Sequence, residues 1–493
     1  MSITSETSIV GLIVLAAFTI LGWGYYRARP YGKLGVLAWL QSVVLMGPWL
    51  LFFGLFAAGI YINIVGILLL LVASASIYIF LGRRLRAAGQ DAILRSRATE
   101  RLANATQEAQ TEDGSTAELQ PETVPIPEAD LSAIRNIFGI DTFFATETIP
   151  YQEGIIFKGN LRGEPDVVFE RLSSNLQKQV GDRYRLFLVE NLDGKPVAIV
   201  LPSRKDPQAT TFAQNVLAIA LLLATVATSL EAGGILLGFD FFTNLQRFQE
   251  PLPIAAGILA VLLVHELGHR LLARRYQVKL SPPFFLPTLQ IGAFGAITRF
   301  QSLLPNRKVL FDIAFAGPAF AGVLSFVLLV LGLLLSDPRS LFQVPTEFFQ
   351  GSILVGTLAK VILGSALQND VVAVHPLTVV GWLGLAITAL NLMPAGQLDG
   401  GRIVQAIYGR KIAGRTTIAT FIVLAIASFT NPLALYWSVV IVFLQRDLER
   451  PSQNELSEPD DARAALGLLA LFLMVATLLP LSPALAGRLG IGG

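Results

Sequence analysis

The chain has 493 residues, of which 53% are hydrophobic and only 15% are charged, a balance that excludes an ordinary water-soluble protein and indicates a membrane protein. The 37 Lys and Arg residues nearly match the 35 Asp and Glu residues, so no broad basic surface for nucleic acid is predicted. The absence of cysteine excludes disulfides, thiolate catalysis and cysteine-ligated metals.

Three apolar runs near residues 8–26, 35–58 and 60–82 predict an N-terminal membrane region at 1–86, because each can cross the hydrocarbon layer, which takes roughly 20 helical residues. We interpret the first run as a retained anchor, since no basic segment precedes it and no small-residue cleavage site follows it. Residues 87–130 contain no aromatic residue and are rich in Gln, Thr, Glu and Ala, which predicts a linker.

Residues 131–205 have the mixed pattern of a small soluble α+β domain between the third and fourth predicted spans. An apolar residue recurs every fourth position after Glu164, which predicts a helix that begins at Pro165 and includes Val168, Leu172, Leu176 and Val180. Residues 185–190 and 196–201 flank a turn and predict a β-hairpin. The domain has no histidine, so we interpret it as a docking or regulatory domain without chemistry of its own.

The chain from residue 206 onward is predicted to form the rest of the membrane protein. Seven further apolar runs bring the predicted total to about ten spans: 211–236, 252–275, 309–336, 377–394, 416–430, 433–446 and 463–482. The predicted fold class is therefore a mainly α, polytopic membrane helical bundle, with a catalytic core at 206–446 and a tail at 447–493 that contains one span. Residues 353–367 are too short and too broken for a span, and we interpret them as re-entrant or interfacial.

The clusters of Lys and Arg between these runs predict the orientation of the protein. All of them fall on one side of the membrane if both termini lie on the other, and basic loops face the cytoplasm. The soluble domain and the candidate active site are then cytoplasmic. Because an Arg- and Ser-rich transit segment is missing, we predict a multi-pass protein of a bacterial membrane.

The strongest motif is His265-Glu266-Leu267-Gly268-His269, inside an otherwise apolar run. Helix positions i and i+4 lie on one face, so both imidazoles can reach one zinc ion, while Glu266, about 100° round the helix, can act as a general base. The alternative is a chance match of two core histidines and a snorkelling glutamate. It is disfavoured because an ionised side chain at mid-membrane costs roughly 2.5–3.5 kcal/mol.

Two histidines leave a catalytic zinc ion one protein ligand short. Asp399 is the best candidate for the third ligand. Pro394 removes a helical donor and the glycines after Asp399 free the backbone, so the carboxylate can turn toward a metal.

Other polar residues in the apolar runs are weaker candidates. His375 precedes Asn391 by 16 residues, or about 24 Å along a helix, so we interpret it as a helix start and not as a ligand. We interpret Asp312 as an interfacial ion-pair partner and place Glu231 near the outer end of its span.

Several motifs occur together in a characteristic order. HELGH at 265–269 is followed by GAFGA at 292–296, AGP at 316–318 and NLMPAGQLDGG at 391–401, a series that resembles the site-2 protease family of intramembrane zinc metalloproteases. GNLRG at 159–163 and the long N-terminal part resemble, more narrowly, the cyanobacterial and plastid EGY-like branch, which implies a cyanobacterial-type plasma or thylakoid membrane. The core resemblance covers residues 211–446 and lacks the PDZ-like insertion of many bacterial members.

The resemblance implies Zn²⁺ bound by His265, His269 and Asp399, with Glu266 as the catalytic base and Asn391 near the scissile carbonyl. It implies an endopeptidase that cleaves membrane proteins in or near a transmembrane helix, in regulated proteolysis or in turnover. The alternatives are an inactive membrane scaffold or chaperone, and a transporter. Transport is disfavoured because the intramembrane polar residues gather at one side.

A substrate helix must unwind before cleavage, because its carbonyl groups are already hydrogen-bonded. Residues 284–300, with Gly292 and Gly295 among apolar residues, are predicted to offer a strand edge that holds the substrate extended.

Overall fold

The computed structural model describes residues 32–57 and 126–491, except for 152, 153, 192, 193, 430 and 446, together with scattered single residues between 22 and 84. The chain forms two compact units, Met1–Pro121 with Ala419–Arg446 and Glu122–Ile418 with Asp447–Gly493. The second unit contains the sheet domain and the candidate site.

In the first unit, helix α1, Gly32–Ala57, coincides with the predicted span at 35–58. The predicted spans at 8–26 and 60–82 and most of the predicted linker at 87–130 fall outside the described residues. Those interpretations therefore stay predictions.

The sheet domain is a four-stranded antiparallel sheet in the order β1-β2-β4-β3. Its elements are α2 (Glu128–Arg135), β1 (Phe143–Tyr151), β2 (Gly154–Leu161), α3 (Pro165–Val180), β3 (Tyr184–Glu190) and β4 (Pro196–Pro202). The predicted helix is confirmed, since Pro165 lies at its start and its four periodic apolar residues are buried. The predicted hairpin is confirmed by the pairing of β3 with β4.

The chain from the C-terminal tail covers the outer edge of β3. Leu188 donates its N–H to Gln453 O at 2.7 Å, and Glu455 donates its N–H to Leu188 O at 2.8 Å, so Asn454 pairs with the strand in parallel. An uncovered strand edge would invite pairing with other chains. The tail therefore completes the sheet and fixes the position of residues close before it.

A buried carboxylate ties α2 to the start of β3. Asp130 accepts two hydrogen bonds from the Arg183 guanidinium, at 2.7 and 2.8 Å, and one from the Tyr184 hydroxyl at 2.9 Å. Burial and the Asp130 carboxylate raise the pKa of Tyr184 to about 12. Tyr184 therefore stays protonated at physiological pH and can keep donating to Asp130.

Helices dominate the rest of the described chain. The helices and two short strand pairs are, in chain order, α4 (Phe212–Leu236), α5 (Leu252–Arg275), β5 (Phe284–Thr288), β6 (Gly292–Ile297), α6 (Arg307–Leu334), β7 (Phe342–Pro345), α7 (Ile353–Leu363), β8 (Val371–Val374), α8 (Pro376–Asn391), α9 (Asp399–Ala427), α10 (Pro432–Val440), α11 (Asp461–Leu478) and α12 (Pro483–Leu489). β5 pairs with β6 and β7 with β8, both antiparallel.

Among the described residues, α4, α5, α6 and α11 are long and apolar enough to cross a membrane. They coincide with four predicted spans, but the total of about ten is not confirmed. α8 has 16 residues and α10 has 9, fewer than the roughly 20 that a straight crossing needs. Backbone at Gly409 (φ 79°) interrupts α9.

The segment at 353–367 forms α7, of 11 residues, and a short 3₁₀ turn. It is too short for a span, as predicted. Its re-entrant or interfacial placement stays a prediction.

Small residues allow α5, α6 and α8 to approach closely. A Cβ at Gly268 of α5 would meet the backbone of Ala316 on α6, and a Cβ at Gly381 of α8 would meet the backbone of Leu329 on α6. Contacts of this kind are the main source of helix association in lipid, where apolar burial alone gives little. This packing sets the faces of α5 and α6 that meet at the candidate site.

Candidate metal centre

The two histidines of the HELGH motif lie one turn apart on α5 and are both buried. Their Nε2 atoms are 3.1 Å apart. Since the i, i+4 spacing puts both rings on one helix face, α5 presents a pair of nitrogen ligands in the interior of the protein.

Asp399 is the first residue of α9 and brings a carboxylate to the same place. Its Oδ2 lies 3.0 Å from His265 Nε2 and 3.5 Å from His269 Nε2. The three residues are buried, and they form the group among the described residues whose ligand atoms could hold a metal ion. The structure thus brings together the three ligands expected from the sequence.

The path of the chain to Asp399 explains the glycines that follow it. A Cβ on Gly400 would collide with Leu392 O, and one on Gly401 with Gly396 O. Both lie in α9, and the left-handed residue of the turn is Gly396 (φ 50°). The glycines were expected to loosen the backbone, but their effect is to let α9 begin tightly against the turn.

The ligand atoms have the spacing that zinc requires. Zinc bonds of about 2.0–2.2 Å in a tetrahedral arrangement place neighbouring ligand atoms about 3.3 Å apart, and the observed separations are 3.0, 3.1 and 3.5 Å. Two imidazoles and one carboxylate also leave one tetrahedral position open, as in catalytic zinc sites. The residues present therefore fit a zinc ion.

A backbone carbonyl orients the second histidine. His269 Nδ1 lies 2.7 Å from Ile313 O on α6, a distance at which the Nδ1–H donates to the carbonyl. The lone pair of this imidazole is then on Nε2, which faces His265 and Asp399. Such outer hydrogen bonds fix the tautomer and the direction of a metal-ligating histidine.

Gly317, in the AGP motif of α6, makes room for the imidazoles. A Cβ at this position would overlap His269 Nε2 and would lie 2.8 Å from His265 Nε2. The side chain of any other residue would therefore occupy the space between the ligands.

We expect Gly317→Ala to lower the zinc content of the purified protein several-fold, because the added methyl group displaces both Nε2 atoms. Gly322→Ala on the same helix is the matched control, since a Cβ there would meet only the Thr388 methyl at 3.7 Å. Elemental analysis of both variants gives the comparison. Equal zinc content in the two proteins would contradict the assigned role of Gly317.

Glu266 lies on α5 beside the ligands with one oxygen engaged and one free. Its Oε2 accepts a hydrogen bond from Thr298 Oγ1 at 2.9 Å, and Arg270 lies 3.9 Å away. Its Oε1 is buried and has no hydrogen-bond partner among the described residues. A buried carboxylate oxygen without a partner is costly, which fits a group that accepts a proton from a bound molecule.

A small cavity lies beside Glu266. It has a volume of about 10 Å³ and is lined by residues that include His265, Glu266, Gly295 and Ala296, close to the space that one water molecule needs. The predicted strand segment at 284–300 forms the hairpin of β5 and β6, so β6 passes this cavity.

Asn391 is buried at the end of α8 and fastened to two carbonyls. Its Nδ2 donates to Phe294 O at 2.9 Å and to Ile387 O at 2.8 Å. Both amide hydrogens are therefore in use. The predicted role near a scissile carbonyl requires one of these bonds to be exchanged for a bond to substrate.

The weaker candidates lie outside the metal group. His375 is the N-cap of α8, where its Nδ1 accepts from Leu377 N at 3.2 Å, as predicted for a helix start. Asp312 pairs with the Arg463 guanidinium at 2.7 and 2.8 Å, which confirms an ion-pair role. Glu231 accepts from Phe241 N at 2.9 Å.

Three residues near the centre were not predicted. Thr298 contacts Glu266, Arg402 contacts the backbone of Thr298, and Glu449 contacts Arg402. Arg402 could have been noticed in the sequence, because it is a charged residue that directly follows the Asp399-Gly400-Gly401 motif. Nothing in the sequence around Glu449 indicates a link to the site.

Comparison with known proteins gives two family matches. Residues 253–430 match the model described as Peptidase family M50, and residues 132–208 match the model described as EGY3 middle domain. No solved structure gives a significant match.

Curated relatives cover most of the chain. The probable chloroplastic zinc metalloprotease EGY2 of Oryza sativa subsp. indica is 41% identical over 368 residues, which is 73% of this chain and 67% of the relative. The probable chloroplastic zinc metalloprotease EGY1 of Arabidopsis thaliana is 38% identical over 413 residues, which is 76% of this chain and 75% of the relative.

These relatives bear on the predicted location. They are chloroplast proteins of plants, so the predicted bacterial source finds no support in them. The membrane location agrees with the four apolar helices. The cytoplasmic orientation of the site stays a prediction.

Proposed function

Since this chain belongs to the M50, or site-2 protease, family of zinc metalloproteases, we propose that it hydrolyses peptide bonds in or near the transmembrane segments of other membrane proteins. The observation that carries this proposal is the group of His265, His269 and Asp399, buried among helices that are apolar enough to cross a membrane. A hydrolytic centre in such a place has membrane-embedded peptide segments as its nearest substrates.

We assign zinc to the three converging ligand atoms. When bound, zinc lowers the pKa of water toward about 7 and polarises a carbonyl group. The chain supplies the proton transfers. Glu266 Oε1, which has no hydrogen-bond partner in the described part of the chain, takes a proton from the attacking water and passes it to the leaving amine, while Thr298 holds the other carboxylate oxygen in place.

The substrate is proposed to bind in extended form beside β6. Gly295 and Ala296 of this strand line the same small cavity as Glu266, so a peptide laid along β6 would bring its backbone to the proposed base. The extended form also exposes carbonyl groups that a helix would keep hydrogen-bonded. Unchanged cleavage after proline substitutions along residues 293–299 would refute this pairing.

The proposal is tested with a single-span substrate in liposomes together with the purified protein. We expect products whose new termini, mapped by mass spectrometry, lie within the span or a few residues from it. The control is a soluble carrier protein that contains the same cleavage-site sequence outside a membrane, and it should stay intact. Cleavage of the carrier at an equal rate would contradict a membrane-restricted substrate.

The same experiment separates the alternative functions. A membrane scaffold or chaperone would bind the substrate and leave it intact, and a transporter would move a solute without dependence on zinc. Cleavage that disappears when zinc is removed by a chelator and returns when zinc is added is expected for the protease alone.

A further inference from the structure

A buried arginine lies one helical turn after the proposed ligand Asp399. The Arg402 guanidinium donates through Nε to Glu449 Oε2 at 2.9 Å, and its Nη2 lies 2.8 Å from the same oxygen. The two side chains are 7% and 9% exposed. A buried ion pair of this kind holds its geometry, because breaking it would leave an unpaired charge in the interior.

The same guanidinium fixes the chain that follows β6. Arg402 donates to Thr298 O at 2.9 Å, and its guanidinium carbon lies 4.8 Å from the centre of the Phe300 ring. Arg402 thus contacts residues 298 and 300 at once, one through a hydrogen bond and one through a cation–π contact. Its distance to Asp399 Oδ1, 3.9 Å, is too long for a hydrogen bond.

Thr298 transmits this constraint to the base. Its hydroxyl donates to Glu266 Oε2 at 2.9 Å, and its carbonyl accepts from Arg402. The backbone of Thr298 therefore cannot shift without breaking the bond to Arg402. The direction in which the free Oε1 of Glu266 points depends on where Thr298 is held.

Glu449 comes from a part of the chain beyond the residues, 253–430, that match the M50 model. Its own backbone is fastened to α9, since Gln405 Nε2 donates to Glu449 O at 3.1 Å and Arg410 also donates to that oxygen. A few residues later the same segment pairs with β3 through Gln453 and Glu455. The anchor of Arg402 is thus itself held from two sides.

We propose that Arg402, anchored by Glu449, is a positioning residue that aims the Glu266 carboxylate through Thr298. The proposal rests on the proposed function of Glu266 as the base. Lysine cannot replace Arg402, because a single ammonium group cannot reproduce the rigid guanidinium that places Nε on Glu449 and Nη2 on Thr298 O. The zinc ligands are expected to keep their places, since Arg402 makes no hydrogen bond to them.

The test compares Arg402→Lys, Glu449→Gln and Thr298→Val with the wild type on a single-span substrate. We expect each to lower kcat about tenfold or more, to leave KM within about twofold, and to keep the wild-type zinc content, because positioning of a base acts on the chemical step. Arg415→Lys is the matched control, since Arg415 is exposed on the same helix. Thr298→Ser, which keeps the hydroxyl, is expected to restore kcat.

The pair of variants R402K and E449Q also tests their dependence on each other. If the two residues act as one unit, the double variant should be no slower than the slower single variant. Thr298→Val leaves the ion pair untouched and so tests the last link even if R402K does not fold.

Two results would overturn the inference. One is a kcat within twofold of wild type for T298V and for a folded R402K. The other is a loss of zinc together with the loss of activity. That second result would assign Arg402 to the metal site or to folding instead. An inactive wild-type protein would refute the proposed function itself. A cleaving wild type with equally fast variants would refute only the positioning role.

Discussion

Replacing Glu266 by glutamine is expected to reduce peptide-bond cleavage by about 10²–10⁴-fold while the zinc content stays at the wild-type level. Glutamine has nearly the same shape and can still accept the hydrogen bond from Thr298, but it cannot take up a proton. Glu266 contributes none of the three converging ligand atoms. Activity and metal binding should therefore separate in this variant.

The measurement is single-turnover cleavage of a membrane-embedded substrate, with zinc quantified in the same samples. Glu347→Gln is the matched control, because Glu347 is an exposed carboxylate in the short 3₁₀ helix between β7 and α7. A Glu266→Gln protein that cleaves at more than about a tenth of the wild-type rate would show that another group serves as the base.

Replacing Asp399 by alanine is expected to remove both zinc and activity. The Asp399 carboxylate lies 3.0 and 3.5 Å from the two imidazole nitrogens, and without it a catalytic zinc ion retains only two protein ligands where three are usual. No other Asp, Glu or His in the described part of the chain joins the two histidines in a ligand group. We therefore expect the zinc content to fall from about one ion per chain to a small fraction of that.

Asp337→Ala is the control for this prediction, since Asp337 is exposed after the end of α6. Zinc content is measured after dialysis against zinc-free buffer, and folding is checked by thermal unfolding in detergent. A folded Asp399→Ala protein that retains about one zinc ion per chain would mean that the third ligand is a different residue.

The metal-binding residues could be predicted because their chemistry is local or strongly constrained. The i, i+4 spacing of His265 and His269 fixes their common helix face, whatever the rest of the fold does. Asp399 could be found because acidic residues in apolar segments are rare and costly. The sequence marks Gly317 only through the AGP motif at 316–318. The structure gives the physical reason, since a Cβ at Gly317 would collide with both imidazoles.

The supporting residues could not be predicted, because they meet only through tertiary packing. Glu449 lies 47 positions after Arg402 along the chain, in a segment without periodicity or motif. The fold-back of the tail onto β3 likewise depends on an edge that exists only once the sheet has formed. The β7–β8 pair joins two four-residue strands that have no distinct pattern.

The predicted number of spans is not confirmed, for a different reason. Apolar runs report which residues avoid water, and they do not report where a helix ends. The run at 377–394 continues beyond Asn391, yet α8 stops there, because Pro394 cannot continue the hydrogen-bond ladder and the turn to Asp399 begins. The position of the metal ligand and the shortness of α8 therefore have one cause.

The proposed centre is a single zinc ion held by two helices, and anomalous X-ray scattering at the zinc edge from crystals of the purified protein tests it most directly. We expect one strong peak per chain, at about 2.0–2.2 Å from His265 Nε2, His269 Nε2 and an Asp399 oxygen. A zinc-loaded protein whose peak lies away from these three atoms, or that has no peak, would contradict the account.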